Sequence, residues 1–148
     1  MTLELPGFFD LQVNGFGGID FNATDLTEDR ACEALEKVRA TGVTRCLPTL
    51  ITSPFDSFAA SARVLSRLTC ASSAGLHMEG PYVSDAEGAR GAHPRAHVRP
   101  ATLDDFKRRQ DAAGGRIVLV TLAPEVPGAM PLIEHLVATG VRVAIGHT

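Results

Sequence analysis

Short apolar runs alternate with amphipathic helical patterns from one end of the 148-residue chain to the other. Five apolar runs predict strands, at residues 7–13, 43–47, 74–78, 116–122 and 141–145. Four helical patterns separate them: three begin after Thr27, Ser53 and Thr102 as N-caps, the third of them running to about residue 113, and the fourth covers residues 131–139. Strands that alternate with helices usually pair in parallel. The pattern therefore predicts an α/β fold, either a doubly wound sheet or half of a (β/α)8 barrel.

Composition then narrows the class of protein. With 45% apolar and 21% charged residues, the chain has the make-up of one globular domain. Its 14 basic and 17 acidic side chains leave a net charge of −3, which argues against a nucleic-acid partner. No stretch approaches the roughly 20 apolar residues of a membrane span, and the N-terminus has no signal-peptide pattern. Cys32, Cys46 and Cys70 are odd in number and form no CxxC pair, so we expect reduced thiols and a cytoplasmic protein.

Polar residues at the predicted strand ends are the candidate site, because reactive groups of α/β folds gather where strands enter their following loops. These residues are Asp10, Gln12, Asn14, His77, Glu79, Glu125 and His147. Glu79 could ligate a metal, act as a base or cap a turn. His147 suits Zn²⁺ as a neutral imidazole, although a lone strand-end histidine is more often structural. Since a catalytic zinc site needs three protein ligands, these residues alone predict only a metal- or anion-binding domain.

Two further groups of polar residues are ambiguous. Gln12 and Asn14 stand in a Q-x-N pattern where H-x-H would indicate metal, and amides are poor zinc ligands, so backbone hydrogen bonding is the alternative. The connection at residues 80–100 is long for an α/β loop. Its His93 and His97 lie among three arginines, Arg90, Arg95 and Arg99. This cluster predicts either an anion site or a solvated loop.

Six blocks of sequence occur in a collinear order that is specific as a set. They are PGFFDLQVNG (6–15), LPTLIT (47–52), GLHMEGP (75–81), GAHP (91–94), LAPE (122–125) and GHT (146–148). Together they resemble the N-acetylglucosamine-6-phosphate deacetylase family of the amidohydrolase superfamily. The resemblance extends across nearly the whole chain.

The resemblance implies a partial (β/α)8 TIM barrel of the metal-dependent hydrolase type, with about five parallel strands and four helices. It implies one divalent metal ion, zinc or else iron or another ion, held by Glu79 and His147. His93, with the backbone at Ala92, would contact the N-acetyl group of the substrate. Gln12 and Asn14 take the place of the superfamily's H-x-H pair, as in the branch of the family that needs a single metal.

The implied reaction is hydrolysis of the N-acetyl amide of N-acetylglucosamine 6-phosphate, giving glucosamine 6-phosphate and acetate in amino-sugar metabolism. In the family a further histidine ligand and the catalytic aspartate come from later strands, beyond Thr148, so no catalytic residue is assigned here. Residues 1–148 are therefore expected to form one half-barrel domain, without the family's small β-domain or the second half of the barrel.

Three hypotheses for the chain remain. It is a deacetylase-like segment, either cut from a longer enzyme or completed by a partner, with its open sheet edge covered by a homo-oligomer or a complementing chain, because open edges invite pairing. It is a non-catalytic α/β domain that binds metal or a sugar phosphate. Or it is an interaction module without a site.

Overall fold

The computed structural model describes residues 6–148, which form a parallel sheet with four helices packed against it. In chain order the strands are β1 (Phe8–Val13), β2 (Gly15–Phe16), β3 (Ile19–Asp20), β4 (Val43–Ile51), β5 (Leu76–Glu79), β6 (Ile117–Leu122) and β7 (Arg142–Ile145). The helices are α1 (Glu28–Arg39), α2 (Phe55–Ser66), α3 (Leu103–Ala112) and α4 (Ala129–Ala138), and Arg95–His97 form one 3₁₀ turn.

Strand order decides between the two predicted architectures. The five long strands follow one another as β1-β4-β5-β6-β7, all parallel and in chain order. A doubly wound sheet would reverse its order at a switch point, whereas a barrel does not. Each helix packs beside the next one along the chain, so all four cover the same face. The prediction of a partial (β/α)8 barrel is therefore confirmed.

The two faces of the sheet have different chemistry because side chains alternate along each strand. Leu50, Met78 and Val120 point toward the helices and join their buried apolar residues in one core. The opposite face carries the buried polar residues Thr49, His77, Glu79 and Thr121. This second face corresponds to the interior of a barrel, and it positions the candidate site.

Both edges of the sheet carry exposed apolar side chains. Within residues 6–148, β1 pairs only with β4 and β7 only with β6. Phe8 and Leu11 on β1 are 65% and 52% exposed, and Ile145 on β7 is 58% exposed. The edges have the character of surfaces that pair with further chain.

The second long strand is longer than its apolar run predicted. It continues through Pro48 to Ile51, although proline has no N–H to donate to the sheet. The pairing of β1 with β4 shifts in register between Asp10 and Val13, and the Val13 N–H donates to the Thr49 hydroxyl at 3.1 Å. A side chain thus replaces a regular ladder contact beside the proline.

Helix caps are partly as predicted. The hydroxyls of Thr27 and Thr102 accept hydrogen bonds from the backbone N–H groups of Arg30 and Asp105, so both N-caps are confirmed. Ser53 does not cap α2, whose N-cap position is Pro54 and carries no side-chain bond. The first turn of α2 therefore relies on burial of Phe58 rather than on a cap.

The prediction of three reduced cysteines is wrong. Cys32 on α1 and Cys70 after α2 form a disulfide, with their Cα atoms 6.5 Å apart. The fold brings together residues 38 positions apart, which spacing alone does not reveal. Cys46 is free and buried, and burial raises the pKa of its thiol to about 11. No helix within residues 6–148 is long and apolar enough to cross a bilayer; the cytoplasmic setting stays a prediction.

Candidate metal centre

Three side chains converge at the carboxyl edge of the sheet. Glu79 ends β5, His147 follows β7, and His93 reaches the same point from the long loop after β5. His147 Nε2 lies 3.0 Å from Glu79 Oε1 and 3.2 Å from His93 Nε2. His93 Nε2 lies 3.9 Å from Glu79 Oε1. One carboxylate and two imidazoles are a donor set that zinc and related ions take in catalytic sites.

Partners of the imidazoles favour a cation between these atoms. His147 Nδ1 faces the Ala89 carbonyl oxygen at 3.1 Å, and because a carbonyl only accepts, Nδ1 carries the proton. In the neutral ring, Nε2 then presents a lone pair to the carboxylate oxygen Glu79 Oε1, 3.0 Å away. Two acceptors at this distance require either a proton or a metal ion between them. The residues present therefore fit a divalent ion.

Neighbouring polar groups fix the remaining ligand atoms. Gln12 donates from Nε2 to Glu79 Oε2 at 3.0 Å, which leaves Oε1 facing the histidines. His93 Nδ1 is hydrogen-bonded to the Thr52 hydroxyl at 2.8 Å, which directs Nε2 toward His147. Partners of this kind orient metal ligands in known sites.

The charge state of Glu79 suits a cation. Contacts with His93 and His147 and a hydrogen bond from Gln12 lower the pKa of Glu79 to about 2, against burial, which raises it. The carboxylate is therefore ionised at neutral pH. None of the three partners is permanently charged, so a negative charge is held in a largely buried place without a fixed cation.

The backbone at the site is unusual in two places. His147 has a φ of 57°, the left-handed region that non-glycine residues rarely adopt and that clusters at functional sites. Gly80 has a φ of 74°, and a Cβ there would lie 2.2 Å from the Thr52 hydroxyl. Any other residue at Gly80 would displace the partner of His93.

A cavity of about 670 Å³ opens beside the three side chains. Its walls come from the hairpin of β2 and β3 and from the strand ends; they include Asn14, Phe16, Ile51, Ala92 and His93. This volume is within the range of small-molecule sites. The glycine-rich turn at residues 15–18 thus forms one wall of the cavity.

The predicted site residues divide into those that meet and those that do not. Gln12 donates a hydrogen bond to Glu79 rather than to the backbone, whereas Asn14 lines the cavity. The two amides of the Q-x-N pair therefore have different surroundings. Glu125 accepts a hydrogen bond from Thr148 at 2.7 Å and Asp10 accepts one from the Gln12 N–H; neither lines the cavity.

The arginine cluster of the long loop does not form one anion site. Arg90 donates to the His93 carbonyl, Arg95 pairs with Asp85, and Arg99 pairs with Asp105. Each guanidinium is therefore engaged by a different acceptor, which argues against the predicted anion site. The contact of Arg90 holds the backbone of His93.

Sequence reasoning missed Thr52, Thr49 and Thr121. The strand-end rule would have found Thr52, but the strand was predicted to end at residue 47, before Pro48. Thr49 and Thr121 flank His77, which is 2% exposed and whose pKa is lowered by burial. Hydroxyl pairs across strands leave no pattern in the sequence.

The fold and the site together define half of a (β/α)8 barrel that carries a carboxylate and a histidine at its strand ends and a second histidine in the loop after β5. No family model matches the chain. It is 35% identical over 153 residues to N-acetylglucosamine-6-phosphate deacetylase from Bos taurus, covering 97% of this chain and 36% of that protein. It is 38% identical to N-acetylgalactosamine-6-phosphate deacetylase from Shewanella, covering 97% of this chain and 36% of that protein.

Solved structures give the same result. The crystal structure of N-acetyl-D-glucosamine-6-phosphate deacetylase from Mycobacterium smegmatis superposes with a TM-score of 0.87 at 35% identity, covering 97% of this chain and 37% of that one. A mutant of that enzyme was solved in complex with N-acetyl-D-glucosamine-6-phosphate. The resemblance to N-acetylglucosamine-6-phosphate deacetylases is thus confirmed over almost the whole chain, which spans about a third of the length of these relatives.

Proposed function

We propose that this chain forms the metal-binding part of an enzyme that hydrolyses the N-acetyl amide of N-acetylglucosamine 6-phosphate, releasing acetate. The convergence of Glu79, His93 and His147, in a chain similar to deacetylases over 97% of its length, carries the proposal. The names of the relatives support a phosphorylated N-acetylamino sugar as the substrate class. Residues 1–148 constitute one half-barrel domain in this proposal.

Glu79 and His147 are the proposed metal ligands. Glu79 offers an ionised Oε1 while Gln12 holds Oε2, and His147 offers Nε2 while the Ala89 carbonyl holds Nδ1. When bound, a divalent ion, zinc first and iron as the alternative, polarises the amide carbonyl and acidifies a water molecule. Gln12 and Asn14 are amides, so the position of a second metal is vestigial.

His93 is the proposed substrate contact, together with the backbone at Ala92. In this role the Thr52 hydroxyl, 2.8 Å from Nδ1, donates to that nitrogen, and Nε2 carries the proton that is donated to the oxygen of the acetyl group. One such donor, aimed at a developing oxyanion, is commonly worth about 3 kcal/mol. The alternative role for His93 is that of a third metal ligand. The distance of 3.2 Å between His93 Nε2 and His147 Nε2 supports this alternative.

The variant His93→Asn separates these two roles. We expect metal content, measured by elemental analysis, to equal that of the wild type, while acetate release from N-acetylglucosamine 6-phosphate falls. Loss of the metal would make His93 a ligand and overturn the division of roles. Running N-acetylgalactosamine 6-phosphate beside it tests the choice of sugar.

Proton transfer from the water to the leaving amine needs a further acid-base group. The cavity is lined by two carboxylates, and both already have partners. Glu79 contacts the two histidines, and Asp20 accepts hydrogen bonds from Asn22. We therefore assign this group to polypeptide outside residues 1–148 that lies at the edges of β1 and β7, whether it is continuous with this chain, a complementing chain or a second copy. Their exposed apolar side chains support such a partner.

The second candidate function is binding without catalysis. It is favoured by the same observation, because both carboxylates that line the cavity already accept hydrogen bonds within residues 6–148. Metal uptake and sugar-phosphate binding without acetate release, in every assembly state of the chain, would establish it. Absence of both would leave an interaction module.

A further inference from the structure

A hydrogen-bonded layer lies beneath the metal ligands and crosses four strands. Thr49 on β4, His77 on β5 and Thr121 on β6 are 0%, 2% and 8% exposed. Thr49 Oγ1 lies 3.3 Å from His77 Nδ1, and His77 Nε2 lies 2.7 Å from Thr121 Oγ1. The Val13 N–H on β1 donates to Thr49 Oγ1 at 3.1 Å. We call Thr49, His77 and Thr121 the imidazole layer.

One neutral tautomer satisfies every group in the layer. Thr49 donates its hydroxyl proton to the Leu47 carbonyl at 3.0 Å and accepts from Val13, so its second lone pair is free for His77. His77 Nδ1 must then carry the proton, and Nε2 accepts from the Thr121 hydroxyl. A fully satisfied buried network specifies one arrangement of its members.

The layer is tied to both partners of the Gln12–Glu79 hydrogen bond. His77 is two residues before Glu79 on the same face of β5, and Val13 directly follows Gln12 on β1. β1 and β5 are not neighbours in the sheet, because β4 lies between them. The bond from Gln12 to Glu79 therefore spans β4, and its length depends on how β1, β4 and β5 are held together.

We propose that His77 is a positioning residue of the metal centre, which acts through Thr49 and Thr121 to hold the ends of β1 and β5 at the spacing that the Gln12–Glu79 bond requires. This inference rests on the proposed metal site. Without the layer, the backbone pairing still holds the sheet, but the carboxylate loses its fixed direction. The predicted defect is therefore in metal affinity more than in folding.

The test compares Co²⁺ affinity with thermal stability in Thr121→Val, Thr49→Val and Thr121→Ser. We expect each valine variant to bind Co²⁺ about 10-fold more weakly, the size of effect seen when outer partners of metal ligands are lost. Thr121→Ser, which keeps the hydroxyl, restores the affinity. Leu65→Ala, buried on α2 and outside the layer, is the control: it lowers the unfolding midpoint and leaves the affinity unchanged.

Two results would overturn the proposal: wild-type affinity in both valine variants, or an equal loss of affinity in Leu65→Ala. If the wild-type chain takes up no Co²⁺, both the proposed metal site and this inference fail. If the wild type binds Co²⁺ and the valine variants bind it equally well, only this inference fails. Nitrogen chemical shifts of His77 in the wild type give an independent readout that needs no variant. They should report a neutral ring protonated at Nδ1, and protonation at Nε2 would contradict the layer.

Discussion

Two largely buried carboxylates, Glu79 at the end of β5 and Asp105 in the first turn of α3, differ in their partners. Asp105 accepts from Arg109 at 2.8 Å, from Tyr82 at 2.9 Å and from Arg99 at 3.3 Å. Its charge is therefore balanced by permanent cations. The partners of Glu79 are an amide and two imidazoles, so its charge has no fixed counter-ion. A buried carboxylate without a permanent cation beside it, such as Glu79, is the one that a metal ion stabilises.

The surroundings of the two carboxylates reinforce this contrast. Arg109 is wholly buried, and its guanidinium lies 4.9 Å from the centre of the Phe58 ring. Glu79 instead borders a cavity of about 670 Å³. The Asp105 cluster thus fastens α3 to the barrel, whereas the Glu79 cluster is open to a ligand.

The largest expected effect is on metal binding by Glu79→Gln. Removing the negative charge should weaken Zn²⁺ binding by about 100-fold or more, since the carboxylate is a direct ligand in the proposal. Competition against a chromophoric chelator measures the affinity. Asp105→Asn is the matched control and should bind Zn²⁺ as the wild type does; equal weakening in both variants would erase the contrast.

Stability should respond in the opposite order. Asp105→Asn leaves Arg109 buried without its counter-ion, which should lower the free energy of unfolding by about 3 kcal/mol. Urea denaturation followed by circular dichroism gives this value. In the metal-free state, Glu79→Gln should cost less, because its partners carry no permanent charge. A larger loss in Glu79→Gln than in Asp105→Asn would show that the Glu79 cluster also serves mainly to hold the fold.

A smaller effect is expected from Gln12→Leu. This change removes the donor to Glu79 Oε2 and should weaken Zn²⁺ binding about 10-fold. Asn14→Ala is its control, because Asn14 lines the cavity without contacting Glu79. If the two variants bind Zn²⁺ with equal affinity, the amide of Gln12 does not orient the carboxylate.

The smallest effect is a dependence of stability on pH. Burial raises the pKa of Asp105, but the hydrogen bond and charge of Arg109, with Tyr82 and Arg99, outweigh it and leave the pKa below its usual value. The stabilisation is therefore complete above a pH of about 4, the usual pKa of aspartate, and is lost as pH falls through the lower folded value. Urea titrations below pH 5 should show a steeper decline in the wild type than in Asp105→Asn; parallel curves would contradict it.

Local signals in the sequence accounted for most of the elements. The Thr27 and Thr102 caps and the apolar spacing after them predicted α1 and α3 with little error. The prediction ended the second long strand at residue 47, whereas β4 continues past Pro48 to Ile51. The missing N–H of Pro48 is compensated by a register shift and a threonine hydroxyl, which are tertiary features that the sequence does not display.

Only the site residues at strand ends could be predicted from the sequence itself. Glu79 and His147 were found in this way, because reactive groups of α/β folds gather where strands enter their following loops. His93 entered through the family resemblance, and its position next to His147 depends on how a 14-residue stretch of loop returns to the sheet. The pairing of Cys32 with Cys70 likewise depends on the packing of α1 beside α2.

Metal stoichiometry of the purified chain, by elemental analysis after dialysis against Zn²⁺ and then buffer, tests the proposed metal centre most directly. We predict close to one equivalent of zinc per chain in the wild type and almost none in Glu79→Gln. No zinc in the wild type, or the same amount in both, would contradict a metal centre built on Glu79 and His147.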